Sequence, residues 1–269
     1  MKIFSSKIIT LGIICRIYLT NAASNSQSAP IISGTRAELG QFPWHVLLAI
    51  YATEEEELEV CGGSILSEKW VLTAAHCIHE IQVLVMAFGT IEFDDTPIMI
   101  NSDDFFIHPE YDDVNLINDI ALIELPTPLN FSDNIKTIDL VSSREINNTF
   151  IGVQGTICGF GTTSELSKEN SEWLLWTTIE IVNNTECDRA YDEQTPATVM
   201  CGIGWNATKQ SPCVGDSGGA LVWKNENDTF IQIGIISYAK RNCSQYPVGY
   251  TRVAPFLDFI NNITGLNFD

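Results

Sequence analysis

A chain of 269 residues is long enough for one large all-β unit or for two small subdomains with a shared core. Hydrophobic residues make up 45% and charged residues 18%, the balance of a globular protein, which excludes a disordered chain. With 34 acidic against 14 basic residues the formal charge is −20, which repels phosphate backbones and anionic membrane surfaces and excludes nucleic acid and membrane as partners.

Residues 1–22 read as an export signal: Lys2 and Lys7 flank a short start, residues 8–19 are mostly apolar, and Thr20-Asn21-Ala22-Ala23 offers small residues for cleavage. The apolar run is too short to span a bilayer and is interrupted by Cys15 and Arg16. Polar residues 24–28 follow.

Short runs rich in Val, Ile, Thr and aromatics come next, separated by Gly, Pro, Asn and Asp. They predict strands over 42–51, 63–75, 81–88, 96–100, 120–125, 152–159, 174–181, 220–223, 230–238 and 249–253. Only residues 253–263 carry a helical period, in Val253, Phe256, Leu257, Ile260 and Ile263. Many short strands at this spacing predict an all-β barrel or sandwich. Between the first two runs lies an acidic block, Glu54 to Glu57 and then Glu59. It reads as a solvated loop, with a docking surface for a basic partner as the alternative. Glu92, Asp94 and Asp95 read as loop carboxylates, and no metal is expected there.

Seven Asn-x-Ser/Thr acceptors follow the signal, at Asn130, Asn147, Asn183, Asn206, Asn227, Asn242 and Asn262. Seven cysteines also remain: Cys61, Cys77, Cys158, Cys187, Cys201, Cys213 and Cys243. In an oxidising compartment they form a disulfide framework with one left over, and none of their spacings resembles a zinc site.

Three separated motifs carry chemistry. Leu72-Thr73-Ala74-Ala75-His76-Cys77 ends a strand with a histidine, and Asn118-Asp119-Ile120-Ala121-Leu122 sets a carboxylate before an apolar strand. Gly215-Asp216-Ser217-Gly218-Gly219 puts a serine among glycines, where the backbone turns tightly and presents its amide hydrogens. Alone, each has a bland reading as a structural histidine, a turn aspartate or a plain loop. Together, in the order His, Asp, Ser, the chain resembles the trypsin/chymotrypsin family of serine endopeptidases from residue 31 to about 263. Gln41-Phe42-Pro43-Trp44, Cys61-Gly62-Gly63-Ser64-Ile65-Leu66 and Tyr250-Thr251-Arg252-Val253 extend the resemblance.

The resemblance implies two six-stranded antiparallel β-barrels with a C-terminal helix and a cleft between the barrels, within a protease domain over 31–269. It implies His76 as general base, Asp119 as its orienting carboxylate and Ser217 as nucleophile. The amides of Gly215 and Ser217 would form the oxyanion hole, and no cofactor is needed. It implies the disulfides Cys61–Cys77, Cys187–Cys201 and Cys213–Cys243; Cys158 is left without a family partner and reads as a buried, inert thiol, with an intermolecular bridge as the alternative. It further implies activation by a cut that frees Ile31 to pair with Asp216, which makes 23–30 a short propeptide. Pro30 stands where relatives carry Arg or Lys, and residues 23–30 form successive dipeptides ending in Ser or Pro, a pattern open to stepwise removal by a dipeptidyl peptidase.

By the same resemblance Ser211 lies at the base of the primary pocket, with Ser237, Tyr238, Ala239 and Val248 in its walls. The pocket then carries no charge and is narrowed, so an elastase-like preference leads and a chymotrypsin-like one is second. The expected protein is a secreted, monomeric enzyme acting on proteins or peptides, with a digestive, venom or defence role open. A non-catalytic binding or decoy protein is the rival reading, against which the intact His-Asp-Ser set argues.

Overall fold

The computed structural model describes residues 30–50, 58–95, 97–167 and 169–268. The predicted signal, residues 23–29 of the propeptide, and Glu54 to Glu57 lie outside them. The strands in chain order are β1 (Thr35–Arg36), β2 (His45–Ile50), β3 (Glu59–Ile65), β4 (Trp70–Thr73), β5 (Leu84–Phe88), β6 (Ile98–Ser102), β7 (Phe105–Ile107) and β8 (Ala121–Glu124). They continue with β9 (Asp139–Leu140), β10 (Gln154–Gly159), β11 (Leu175–Val182), β12 (Val199–Gly204), β13 (Ala220–Lys224), β14 (Phe230–Tyr238) and β15 (Val248–Arg252).

The N-terminal sheet has the order β6-β5-β2-β3-β4-β8-β7. Its two end strands are separated in the chain only by Asp103 and Asp104, so the sheet curls until its edges meet at that corner. The Ser102 hydroxyl donates to Glu124 O (2.6 Å) and Glu124 N donates to Asp104 O (3.0 Å), which ties the corner to β8. Counted as one bent strand, β6 and β7 bring this sheet to six. In the C-terminal sheet β11-β10-β13-β14-β15-β12 closes on itself through β11–β12 pairing, while β1 and β9 add to its outside. The fold is therefore all-β, in two six-stranded units, as the sequence led one to expect.

Side-chain alternation drives this closure. Along β11, Leu175, Thr177, Ile179 and Ile181 are buried while Trp176, Thr178, Glu180 and Val182 are only half-buried, the period of two that a filled barrel requires. In the N-terminal sheet Val46, Leu48, Leu72, Leu84, Met86 and Leu122 are fully buried. Burying a Leu or Met side chain contributes about 2–3 kcal/mol.

Three details depart from the sequence reading. The run 63–75 is two strands, because Ser67, Glu68 and Lys69 turn the chain, with Leu66 N donating to Trp70 O (2.8 Å). The strands β1, β7, β9 and β12 have no counterpart among the runs that the sequence predicts. Residues Thr185–Tyr191 form a helix too short for its period to show in the sequence, anchored by the Cys187–Cys201 disulfide and by Tyr191, whose hydroxyl donates to Pro247 O (2.8 Å). The C-terminal helix is Leu257–Thr264, entered through a 3-10 turn at Ala254–Phe256 and ended by Gly265 in the left-handed region. No helix among the described residues is long and apolar enough to cross a membrane.

Candidate active site

The site lies where the two sheets face each other. The 3-10 turn Ala75–Cys77 leaves the end of β4 and carries His76, and the Cys61–Cys77 disulfide pins that turn to β3. Asp119 precedes β8, after Asn118, whose positive φ of 54° is held by donation from its side-chain amide to Glu110 O (2.8 Å). The fully buried Asp119 carboxylate accepts from His76 N (2.9 Å) and meets His76 Nδ1 at 2.8 Å. A ring nitrogen facing a carboxylate carries the hydrogen, which leaves the Nε2 lone pair free. From the other barrel Ser237 Oγ donates to the same carboxylate (2.6 Å) and Thr251 Oγ1 donates to Asp119 O (2.9 Å).

Ser217 sits on the turn between Cys213, tied to Cys243, and β13. That turn needs left-handed backbone at Gly215 (φ 97°) and Gly218 (φ 79°). A Cβ on Gly218 would overlap Thr73 Oγ1 and Gly62 O, so the serine turn is pressed against the end of β4, just before His76. Gly62 N on β3 donates to Ser217 O (2.6 Å), a second clamp between the barrels. Among the described residues no protein acceptor takes the amide hydrogens of Gly215 or Ser217, and no hydrogen bond joins Ser217 Oγ to His76. Catalytic hydrogen bonds often tighten only with substrate bound.

Beneath this turn lies Asp216, fully buried, its carboxylate accepting from Gly161 N and Cys213 N (both 2.9 Å). Burial pushes its pKa up to about 6, against the pull of those two donors. A Cβ on Gly159 or Gly161 would overlap the carboxylate. Ile31 is fully buried with φ of 40°, a strained value for a β-branched residue, and Ile32 bridges to Ser211. Cys158 is a free, buried thiol 3.7 Å from Nδ1 of His45, and burial drives its pKa up and that of His45 down to about 4. All three remaining disulfide pairings, Cys61–Cys77, Cys187–Cys201 and Cys213–Cys243, are present. The seven Asn acceptors are exposed.

A cavity of about 210 Å³ opens beside Ser217, walled by Pro212, Val214, Ile236, Ser237, Tyr238 and Ala239, and no carboxylate lines it. Ser211 and Val248 do not line this cavity. They face a smaller one of about 120 Å³ behind Pro212 and the Cys213–Cys243 disulfide, together with Tyr250. A third cavity of about 250 Å³ runs on past Leu116 and Tyr238, which it shares with the first. Leu116 escapes sequence reasoning, since nothing in Asn115-Leu116-Ile117-Asn118 sets it apart. Nor does the sequence show that Ser237 holds Asp119: a strand-end serine has no signature of what it meets across the fold.

Residues 31–260 match the family described as trypsin. The chain is 33% identical over 241 residues to a collagenase of Hypoderma lineatum, covering 88% of each chain. It is 34% identical over 239 residues to a venom protease of Bombus pensylvanicus, covering 85% of this chain and 96% of that one. A chymotrypsin of Phaedon cochleariae is 30% identical over 236 residues, with 87% and 82% covered. A solved structure of HL collagenase superposes with a TM-score of 0.77 at 32% identity, covering 87% of this chain and 99% of that one. On its barrels, its cleft and this likeness over nearly all of the folded part, the chain belongs to the trypsin family of serine endopeptidases.

Proposed function

We propose that this endopeptidase is secreted, works through His76, Asp119 and Ser217, and cuts after uncharged apolar residues. The carrying observation is the buried Asp119 carboxylate, which meets His76 Nδ1 at 2.8 Å while Ser237, a wall of the Ser217 cavity, donates to it. With Nδ1 so engaged, His76 Nε2 takes the proton of Ser217 as its Oγ bonds to the scissile carbonyl carbon. Charge develops on the carbonyl oxygen, where the free amides of Gly215 and Ser217 donate; one such donor is worth roughly 3 kcal/mol of transition-state stabilisation. The proton then passes from Nε2 to the leaving amine nitrogen, the carbon–nitrogen bond breaks, and water activated by the same imidazole releases the acyl group.

A cavity without a carboxylate gives no partner for a Lys or Arg side chain, and its walls favour an apolar one. Activation follows a cut after Pro30: the new Ile31 ammonium would meet the Asp216 carboxylate in its buried cradle. Three disulfides, the exposed glycan acceptors and a likeness to a venom protease support secretion.

A fluorophosphonate probe should label the secreted protein at Ser217 and fail to label Ser217→Ala. A chromogenic peptide panel varied only before the cut should show Ala, Val or Leu well above Lys and Arg. Labelling that persists in the variant, or a preference for Arg, overturns the reading. N-terminal sequencing of active material should begin at Ile31, and full activity with an Ala23 start would refute the activation step.

A further inference from the structure

Lys240 and Arg241 continue the wall of the Ser217 cavity outward from Ser237, Tyr238 and Ala239. In a chain of charge −20, two adjacent cations on the lining of the cleft need an explanation. Among the described residues no carboxylate lies within 4.0 Å of either one. The nearby Glu165 is occupied by the amide and hydroxyl of Ser244 (3.2 and 2.6 Å), and Glu193 lines the neighbouring cavity beyond Tyr238. Lys240 is also held in place. Its Nζ donates to Ala190 O (2.5 Å) and lies 4.4 Å from the Tyr246 ring centroid and 5.4 Å from that of Tyr191. That bond and the two rings fix the ammonium beside the cleft, so its ordering entropy is already spent, while the Arg241 side chain is exposed.

We infer that Lys240 and Arg241 select substrates carrying an acidic side chain two to four residues before the scissile bond. This rests on the proposed reading of the Ser217 cavity as the pocket for the residue before the cut. A peptide running outward from that cavity along the 237–241 edge carries its next side chains toward the two cations. The net negative charge of the molecule opposes acidic ligands at long range. At physiological salt the screening length is about 8 Å, which cuts off that repulsion and leaves contacts at the rim in force.

The test uses peptides identical but for Glu or Gln at the second, third or fourth position before the cut, with kcat/KM measured for each pair. Wild-type enzyme should favour Glu by roughly fivefold at one or more of these positions at 0.1 M salt, and less at 1 M salt. Lys240→Gln with Arg241→Gln should bring the ratio near one, and Lys240→Glu with Arg241→Glu should invert it in favour of Gln. Because the readout is a ratio within each protein, a partly folded variant does not mimic the result. Binding of the same peptides to Ser217→Ala, followed by fluorescence anisotropy, reads the charge preference without turnover and so separates this inference from the catalytic assignment. Equal values for Glu and Gln in wild type, or a Glu preference that survives the charge reversal, would overturn it.

Discussion

Asp119 shows how much one buried carboxylate can organise. It has no exposure and accepts from two positions on His76 and from Ser237 across the barrel interface. Removing the hydroxyl in Ser237→Ala strips a charge-assisted hydrogen bond worth about 1.5–3 kcal/mol from the group that orients His76. The expected outcome is a fall in kcat of about tenfold or more with KM little changed, checked by steady-state kinetics on one small peptide. Asp216 gives a pH signature instead. While the Pro30–Ile31 bond is intact its folded pKa of about 6 stands above the ordinary carboxylate value of 3.8. A raised pKa means the folded state binds the proton more tightly. The stabilisation is full below about pH 3.8 and is lost as pH rises through about 6, on the order of 2–3 kcal/mol in total. Thermal midpoints of the uncut protein should therefore lose this contribution across that window, and Asp216→Asn should remove that part of the slope. If activation runs as proposed, a cut after Pro30 puts an ammonium beside the carboxylate, and the sign should reverse.

At the scale of elements, the turns are what hold the chemistry. The Cys61–Cys77 disulfide closes a separation of 16 residues and fixes the His76 turn to β3. Replacing both cysteines by serine should cost about 3 kcal/mol, read from the thermal midpoint, with activity falling further as the His76 turn loosens. The Ser217 turn tolerates still less. Gly218→Ala demands both an unfavourable φ and room already taken by Thr73 Oγ1 and Gly62 O. It should lower kcat/KM by about 100-fold or more even where circular dichroism shows a folded protein, because the displacement moves Ser217 away from the His76 side.

For the whole molecule, the interface between the barrels is the structural spine. Ser64 Oγ donates to Gln232 Oε1 (2.7 Å) across it, both residues fully buried, beside the Gly62–Ser217 and Thr251–Asp119 bonds. Gln232→Leu removes the short acceptor of the buried Ser64 hydroxyl, leaving only Leu72 O at 3.5 Å, and should destabilise by about 1–3 kcal/mol in denaturant titration. A single transition should persist, since the active-site contacts couple the two units. On the proposed assignment one barrel carries His76 and Asp119 and the other Ser217, so activity is a property of the pair.

The strand-rich fold and the three motifs were legible in the chain because they depend on local matters: alternation, turn residues and glycine-bearing loops that announce themselves in a few letters. His76, Asp119 and Ser217 are singled out together by the resemblance of those motifs to the trypsin family, since each alone has a bland reading. What the letters did not carry is which surfaces meet across the interface. That Ser237 serves Asp119, that Leu116 stands between two cavities, and that Ser211 and Val248 lie behind Pro212 and a disulfide follow from strand order and barrel packing. Those contacts join residues far apart in the chain, and their energies are settled only when both barrels are closed. The type of reaction was written in short sequence motifs, whereas the shape and charge of the cleft that receives the substrate were decided by tertiary structure.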